Sequence, residues 1–149
     1  MTGSVGDNLQ IRAFDGIAWS AADNASWAPF TITVPANRAP VVTTADLSRT
    51  ANQTLPLSSL FSVTDADNDI MTEYQLWDAT RDPASGHFVV GGVTQGAGTV
   101  IDISAAQLSQ TTFVTGTLGT VDALQIRAFD GLAWSAGDTS AWSPFHIAV

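Results

Sequence analysis

From Pro40 onward the apolar residues come in short runs separated by clusters of Gly, Asp, Asn and Ser, and nowhere do they recur at the three-to-four-residue spacing of a helix. Runs rich in Val, Ile, Thr and aromatics between such clusters are strand signals. They predict strands at Val41 to Thr44, Thr54 to Leu57, Ile70 to Trp77, His87 to Val90, Val100 to Ile103, Phe113 to Val114, Leu124 to Phe129 and Pro144 to Val149. Leu57-Ser58-Ser59-Leu60-Phe61 and Ala105-Ala106-Gln107-Leu108 suit one helical turn each, too short to stand as helices. Eight short strands without helical periodicity predict an all-β chain, a β-sandwich of immunoglobulin-like architecture.

The pattern also repeats. DNLQIRAFDGIAWSAADNASWAPFTITV at 7–34 returns at 122–149 as DALQIRAFDGLAWSAGDTSAWSPFHIAV, with 19 of 28 positions identical at an offset of 115. Upstream, Thr2-Gly3-Ser4-Val5-Gly6 resembles Thr115-Gly116-Thr117-Leu118-Gly119, with Thr120-Val121 inserted in the second copy. The chain therefore reads as a slice of a tandem array, with a C-terminal hairpin fragment of one repeat at 1–34 and a complete repeat at 35–149. Val34-Pro35-Ala36-Asn37-Arg38-Ala39-Pro40, with two prolines, reads as a short stiff linker between them. A spare N-terminal hairpin would expose apolar faces and an unpaired edge. Contact with neighbouring repeats or with other copies of the chain is therefore expected.

Composition narrows the function. The chain has 149 residues, no cysteine, 14 acids and only five basic residues, all arginine, for a net charge of −9. Disulfides and thiolate chemistry are excluded. Nucleic acid is an unfavourable partner, because phosphate contacts need clustered basic residues. No apolar run approaches the roughly 18 residues of a membrane helix, and Met1-Thr2-Gly3-Ser4 lacks the regions of a signal peptide, so membrane insertion is not expected. The sequence contains no G-x-S-x-G elbow, phosphate-binding glycine loop or H-E-x-x-H, and an enzyme is not expected.

The sharpest local signal is Asp65-Ala66-Asp67-Asn68-Asp69. Hard oxygen donors at this density suit Ca²⁺, which accepts six to eight of them in irregular geometry. The alternative is a polar turn chosen for its backbone geometry. It is not an EF-hand, since Ile70 and Leu76 stand where that loop needs Gly and Glu. Asp130-Gly131 and its copy Asp15-Gly16 end strands as turn signals, and Asp130 becomes a further cation ligand if its loop folds toward the cluster. Arg127 and Arg12 suggest exposed or cross-strand pairs with carboxylates. Trp19, Trp27, Trp134 and Trp142 fall in the two copies of one motif. They either fill the end of the sandwich, at least half buried, or form stacking platforms for glycans.

Four segments together look like the tandem repeats of large bacterial RTX-type adhesins and haemolysin-type calcium-binding surface proteins exported by type I secretion. They are Asn37-Arg38-Ala39-Pro40-Val41, Phe61 to Asp69, Tyr74-Gln75-Leu76-Trp77-Asp78, and Leu124 to Gly131 followed by Trp134-Ser135. Those repeats are similar in turn to bacterial cadherin-like modules. The resemblance implies a calcium-stiffened structural or adhesive module, extracellular or on the bacterial surface, with Asp65, Asp67, Asp69 and Asp130 as metal ligands. Asn37-Arg38 stands where cadherin linkers carry an acid and Asn, which implies calcium within the module rather than at the junction. The runner-up is a carbohydrate-binding module that uses the loop tryptophans on surface glycans.

Overall fold

A computed structural model describes residues 4–23, 25–138 and 141–149. The chain divides into two compact units, Met1–Asn37 and Arg38–Val149, with the cut inside the proline-bounded linker. The first unit is one antiparallel hairpin of β1 (Val5–Ile11) and β2 (Ala28–Val34), with Leu9 opposite Phe30 and Val5 opposite Val34. Both of its strands are exposed along their full length.

The second unit is an all-β sandwich. Its strands are β3 (Val41–Thr44), β4 (Leu47–Ser48), β5 (Thr54–Pro56), β6 (Phe61–Thr64), β7 (Glu73–Asp78), β8 (His87–Val90), β9 (Val93–Thr94), β10 (Val100–Ser104), β11 (Thr111–Val114), β12 (Val121–Phe129) and β13 (Ser143–Ala148). The two helical turns are 3-10 turns at Leu57–Ser59 and Ala105–Gln110. One sheet runs in the order β10-β7-β12-β13-β4 and the other β5-β11-β8-β9, while β3 and β6 form a separate pair. No helix among the described residues is long and apolar enough to cross a membrane.

Alternation places the core. Tyr74 and Leu76 of β7, Leu124, Ile126 and Ala128 of β12, and Phe145 and Ile147 of β13 are buried and belong to one core cluster with Leu55, Phe88 and Phe113 of the other sheet. Each Leu, Ile or Phe among them contributes roughly 1.5–3 kcal/mol on leaving water. Phe88 and Phe113 meet edge to face at 5.1 Å. β12 is the longest strand and is paired on both sides, to β7 and β13, so the C-terminal copy of the repeated segment sits in the middle of its sheet.

The strand expected from Ile70 begins instead at Glu73. The preceding residues turn through Asn68, which has a positive φ of 63°, and the Thr72 N–H donates to the Phe129 carbonyl (2.8 Å), leaving Ile70 exposed. The Phe61–Thr64 strand is not among those the pattern predicts. Its half-buried Phe61 and Val63 alternate with exposed Ser62 and Thr64, a period of two too short to register. The pairs Leu47–Ser48 and Val93–Thr94 carry no pattern at all.

At one end of the sandwich two carboxylates are buried, Asp78 and Asp122. Gly86 reaches Asp122 closely enough for its N–H to donate to Oδ1 (2.9 Å), and a Cβ there would strike the Phe113 ring at 2.4 Å. Burial, and then the charge of Asp122, push the Asp78 carboxyl up to about 6, against the pull of the Thr80 N–H. Burial also raises Asp122, opposed by the Gly86 N–H, His87 and Ser85. The folded state thus holds protons that the unfolded chain releases. This contribution is fully present below the ordinary carboxyl pKa near 4 and is lost as pH climbs toward about 6. Stability in urea should therefore fall by on the order of 2–3 kcal/mol between pH 4 and 7. In Asp78→Asn that fall should largely disappear. An unchanged slope in the variant would remove Asp78 as its source.

Candidate functional site

Asp65 opens the loop between β6 and β7. Its Oδ1 accepts the N–H groups of Asp67 (2.8 Å) and Asp69 (3.1 Å), which curls the chain back on itself. As a result Asp65, Asp67 and Asp69 each present a carboxylate oxygen within 4.8 Å of the others. The outer oxygen of Asp65, Oδ2, is buried and accepts no hydrogen bond. Burial raises the Asp69 carboxyl, and the charges of Asp65, Asp67 and Asp130 raise it further. An open cleft of about 370 Å³, floored by Phe61, Tyr74 and Leu108, brings solvent to Asp65 and Asp69.

Asp130 arrives from the end of β12, held near the loop by the Thr72–Phe129 hydrogen bond. It lies outside the three-carboxylate group: its Oδ1 accepts the N–H groups of Leu132 and Ala133 (both 2.6 Å), closing a turn through Gly131 at a φ of +97°. Its charge still reaches Asp69. The structure therefore brings three of the four anticipated ligands together and sets the fourth beside them.

Asp67 already has a cation, which nothing in the local sequence signals. Arg38 Nε and Nη2 donate to Asp67 Oδ1 (2.9 and 2.6 Å), its backbone N–H donates to Oδ2 (2.7 Å), and Nη2 also reaches the Ala66 carbonyl (2.7 Å). These bonds hold the Asp67 carboxyl below its usual range. Two guanidinium donors converge on one Asp67 oxygen while the backbone N–H takes the other, and these charge-assisted bonds anchor the start of the second unit on its acidic loop.

Arg127 pairs with a carboxylate, Asp138, as expected, but its guanidinium is buried, at 4% exposed, and not at the surface. Its guanidinium lies between two indoles, 4.3 Å from the Trp134 ring centre and 4.6 Å from that of Trp142. Nε donates to Gln75 Oε1 (2.8 Å) on the adjacent strand, Nη1 to the Ala136 carbonyl (2.9 Å), and Nη2 to Asp138. Gln75 passes the row on to Asp102 (2.5 Å). Trp134, half-buried, also stacks on Phe129 at 4.9 Å, and Trp142 is buried, so in this unit both rings pack against the hairpin as expected. The first copy repeats the clasp: Arg12 lies 4.2 Å from Trp19 and 4.5 Å from Trp27. Trp19, at 52% exposed, misses the expected burial. The spacing Arg-x6-Trp-x7-Trp, present twice, was the available signal.

Compared with protein-family models, curated proteins and solved structures, the chain finds no match.

Arg127→Lys cannot keep both the planar stacking and the Gln75 and Ala136 bonds. It should destabilise the second unit by roughly 2–4 kcal/mol, the size of lost charged hydrogen bonds and a buried cation–π contact. Arg12→Lys should leave the main unfolding transition where it is. Equal effects of the two substitutions in urea titrations would show that burial of the clasp is not what matters.

Proposed function

We propose that the chain is a non-enzymatic structural or adhesive repeat module of a large secreted or cell-surface bacterial protein, immunoglobulin-like and cadherin-like in architecture and stiffened by Ca²⁺. The observation that carries the repeat reading is the duplicated segment, which forms the same hairpin in the same register twice, Leu9 opposite Phe30 and Leu124 opposite Phe145. Two compact units joined by a short proline-bounded linker suit an extended array. The resemblance to RTX-type and type I-secreted repeats supplies the extracellular setting.

The acidic loop fits calcium in its donor chemistry. The ion is hard and takes carboxylate oxygens, and the buried, unpartnered Oδ2 of Asp65 beside Asp69 carries an uncompensated cost without a cation. Asp65, Asp69 and, as Arg38 gives way, Asp67 would hold the ion, with Asp130 a further ligand where its turn reaches the cluster. The ion would neutralise the mutual repulsion of the cluster and lock the β6–β7 loop to the end of β12. Arg38 supplies part of this compensation without metal.

Millimolar calcium should raise the unfolding midpoint over excess chelator, by about 2.7 kcal/mol at a hundredfold excess over the dissociation constant. The double substitution Asp65→Asn, Asp69→Asn should abolish the increment, and Arg38→Gln should enlarge it by freeing Asp67. Calorimetry in which calcium and chelator give superimposable transitions would reduce the loop to a polar turn.

A further inference from the structure

The acidic loop lies at one end of β7 and β12, and at the other end the same two strands carry a second pair of carboxylates. Alternation buries Tyr74, Leu76 and Asp78 along β7, and Asp122, Leu124, Ile126 and Ala128 along β12, so both aspartates continue rows that face the core. Asp78 stands opposite Leu124, which makes Asp122 its diagonal neighbour. Such neighbours are roughly 7–8 Å apart across a sheet, within reach of one bridging ion.

Their hydrogen bonds leave an oxygen over. Asp78 Oδ1 accepts the Thr80 N–H (2.9 Å) and Asp122 Oδ1 the Gly86 N–H (2.9 Å). Asp122 is 0% exposed, yet its Oδ2 has no hydrogen bond, a state shared among the described residues only by Asp65 Oδ2 of the acidic loop. A buried carboxylate oxygen without a partner is costly. Arg81 and His87 line the adjacent cleft, but among the described residues neither makes a hydrogen bond or ion pair with either aspartate.

The surroundings hold these donors still. The Thr117 N–H donates to the Ala84 carbonyl (2.9 Å), the Ala79 N–H to the Ala123 carbonyl (3.0 Å), and the Ala123 N–H to Thr80 Oγ1 (2.8 Å), which pins the connection between β7 and β8 to β12 and the residues before it. A cleft of about 230 Å³, lined by Asp78, Thr80, Asp82 and Gly86, brings water to Asp78, and Asp122 lies directly behind Gly86.

We propose that Asp78 and Asp122 together bind Mg²⁺, with water from the cleft completing its shell. The donor set decides the ion. Mg²⁺ is small, dehydrates reluctantly and is commonly held by one or two carboxylates while it keeps several waters, whereas Ca²⁺ asks for six to eight oxygens. Two carboxylates balance its charge, and Asp122 Oδ2 gains the partner it lacks. The site goes beyond the calcium reading and does not rest on it, since it shares no residue with the acidic loop.

The test uses the full chain carrying Asp65→Asn and Asp69→Asn, which removes donors of the acidic loop and leaves this site intact. Calorimetric titration with magnesium chloride at neutral pH should still show one ion per chain, with calcium chloride binding more weakly. Adding Asp122→Asn or Asp78→Asn keeps the Oδ1 acceptor for the Gly86 or Thr80 N–H, and each should weaken magnesium by roughly tenfold or more, at least what loss of an outer-shell partner costs. Mn²⁺, a paramagnetic ion of the same oxygen preference, should broaden the amide resonances of Gly86 and Ala123 before any others in the chain altered only at 65 and 69. The assignment is overturned if that chain binds no magnesium, if neither further substitution weakens binding, or if Mn²⁺ broadens other amides first. Tighter binding of calcium at the same two residues would overturn the choice of ion. Failure of the calcium reading shows separately, as a calcium titration of the unaltered chain that Asp65→Asn with Asp69→Asn leaves unchanged.

Discussion

A guanidinium taken out of water between two indoles is the constraint on which the C-terminal half of this molecule depends. Arg127 sits on the outer face of β12, where alternation would leave it in solvent, and the connection between β12 and β13 folds over it instead. A buried cation is costly unless each donor is matched. Gln75, the Ala136 carbonyl and Asp138 match those of Arg127. The long connection is thereby tied to β7 as well as to its own hairpin. Further bonds to the strand follow, from Ala128 N–H to the Ser135 hydroxyl (3.0 Å) and from Trp142 N–H to Gln125 (3.2 Å). The end of β12 is held in place with it, and so is Asp130 beside the acidic loop.

The duplicated segment separates two contributions that are usually entangled. The clasp, the Asp-Gly turn and the strand register arise in both copies, so they are encoded within about 28 residues. Burial of the apolar face arises in only one, because it needs β7 and the opposite sheet. An isolated hairpin is marginal in water, and the hydrophobic cover supplies most of the stability.

Much of this was legible in the sequence. The all-β class, the linker and most strands followed from period-two runs and punctuation by Gly, Pro and Asp, and the three clustered aspartates were visible as a string. Interactions between distant segments were not. Arg38 seated on Asp67 joins residues 29 apart, and Arg127 on Gln75 joins residues 52 apart. Nothing in local periodicity marks an arginine as buried when its cover comes from a loop. The buried Asp78 and Asp122 were hidden for a related reason: an aspartate at a strand end reads as a turn residue until the strands around it are placed.

Cover, not local sequence, is responsible for the different exposure of the two hairpins. Amide hydrogen exchange on the unaltered chain in dilute solution reads this directly, since the slowest amides report global opening and uncovered strands open locally. Residues 121–129 and 143–148 should exchange at the rate of global unfolding, with 5–11 and 28–34 faster by orders of magnitude. Equal protection of the two hairpins would contradict the account, because near-identical sequences would then be equally stable with and without the repeat body over them.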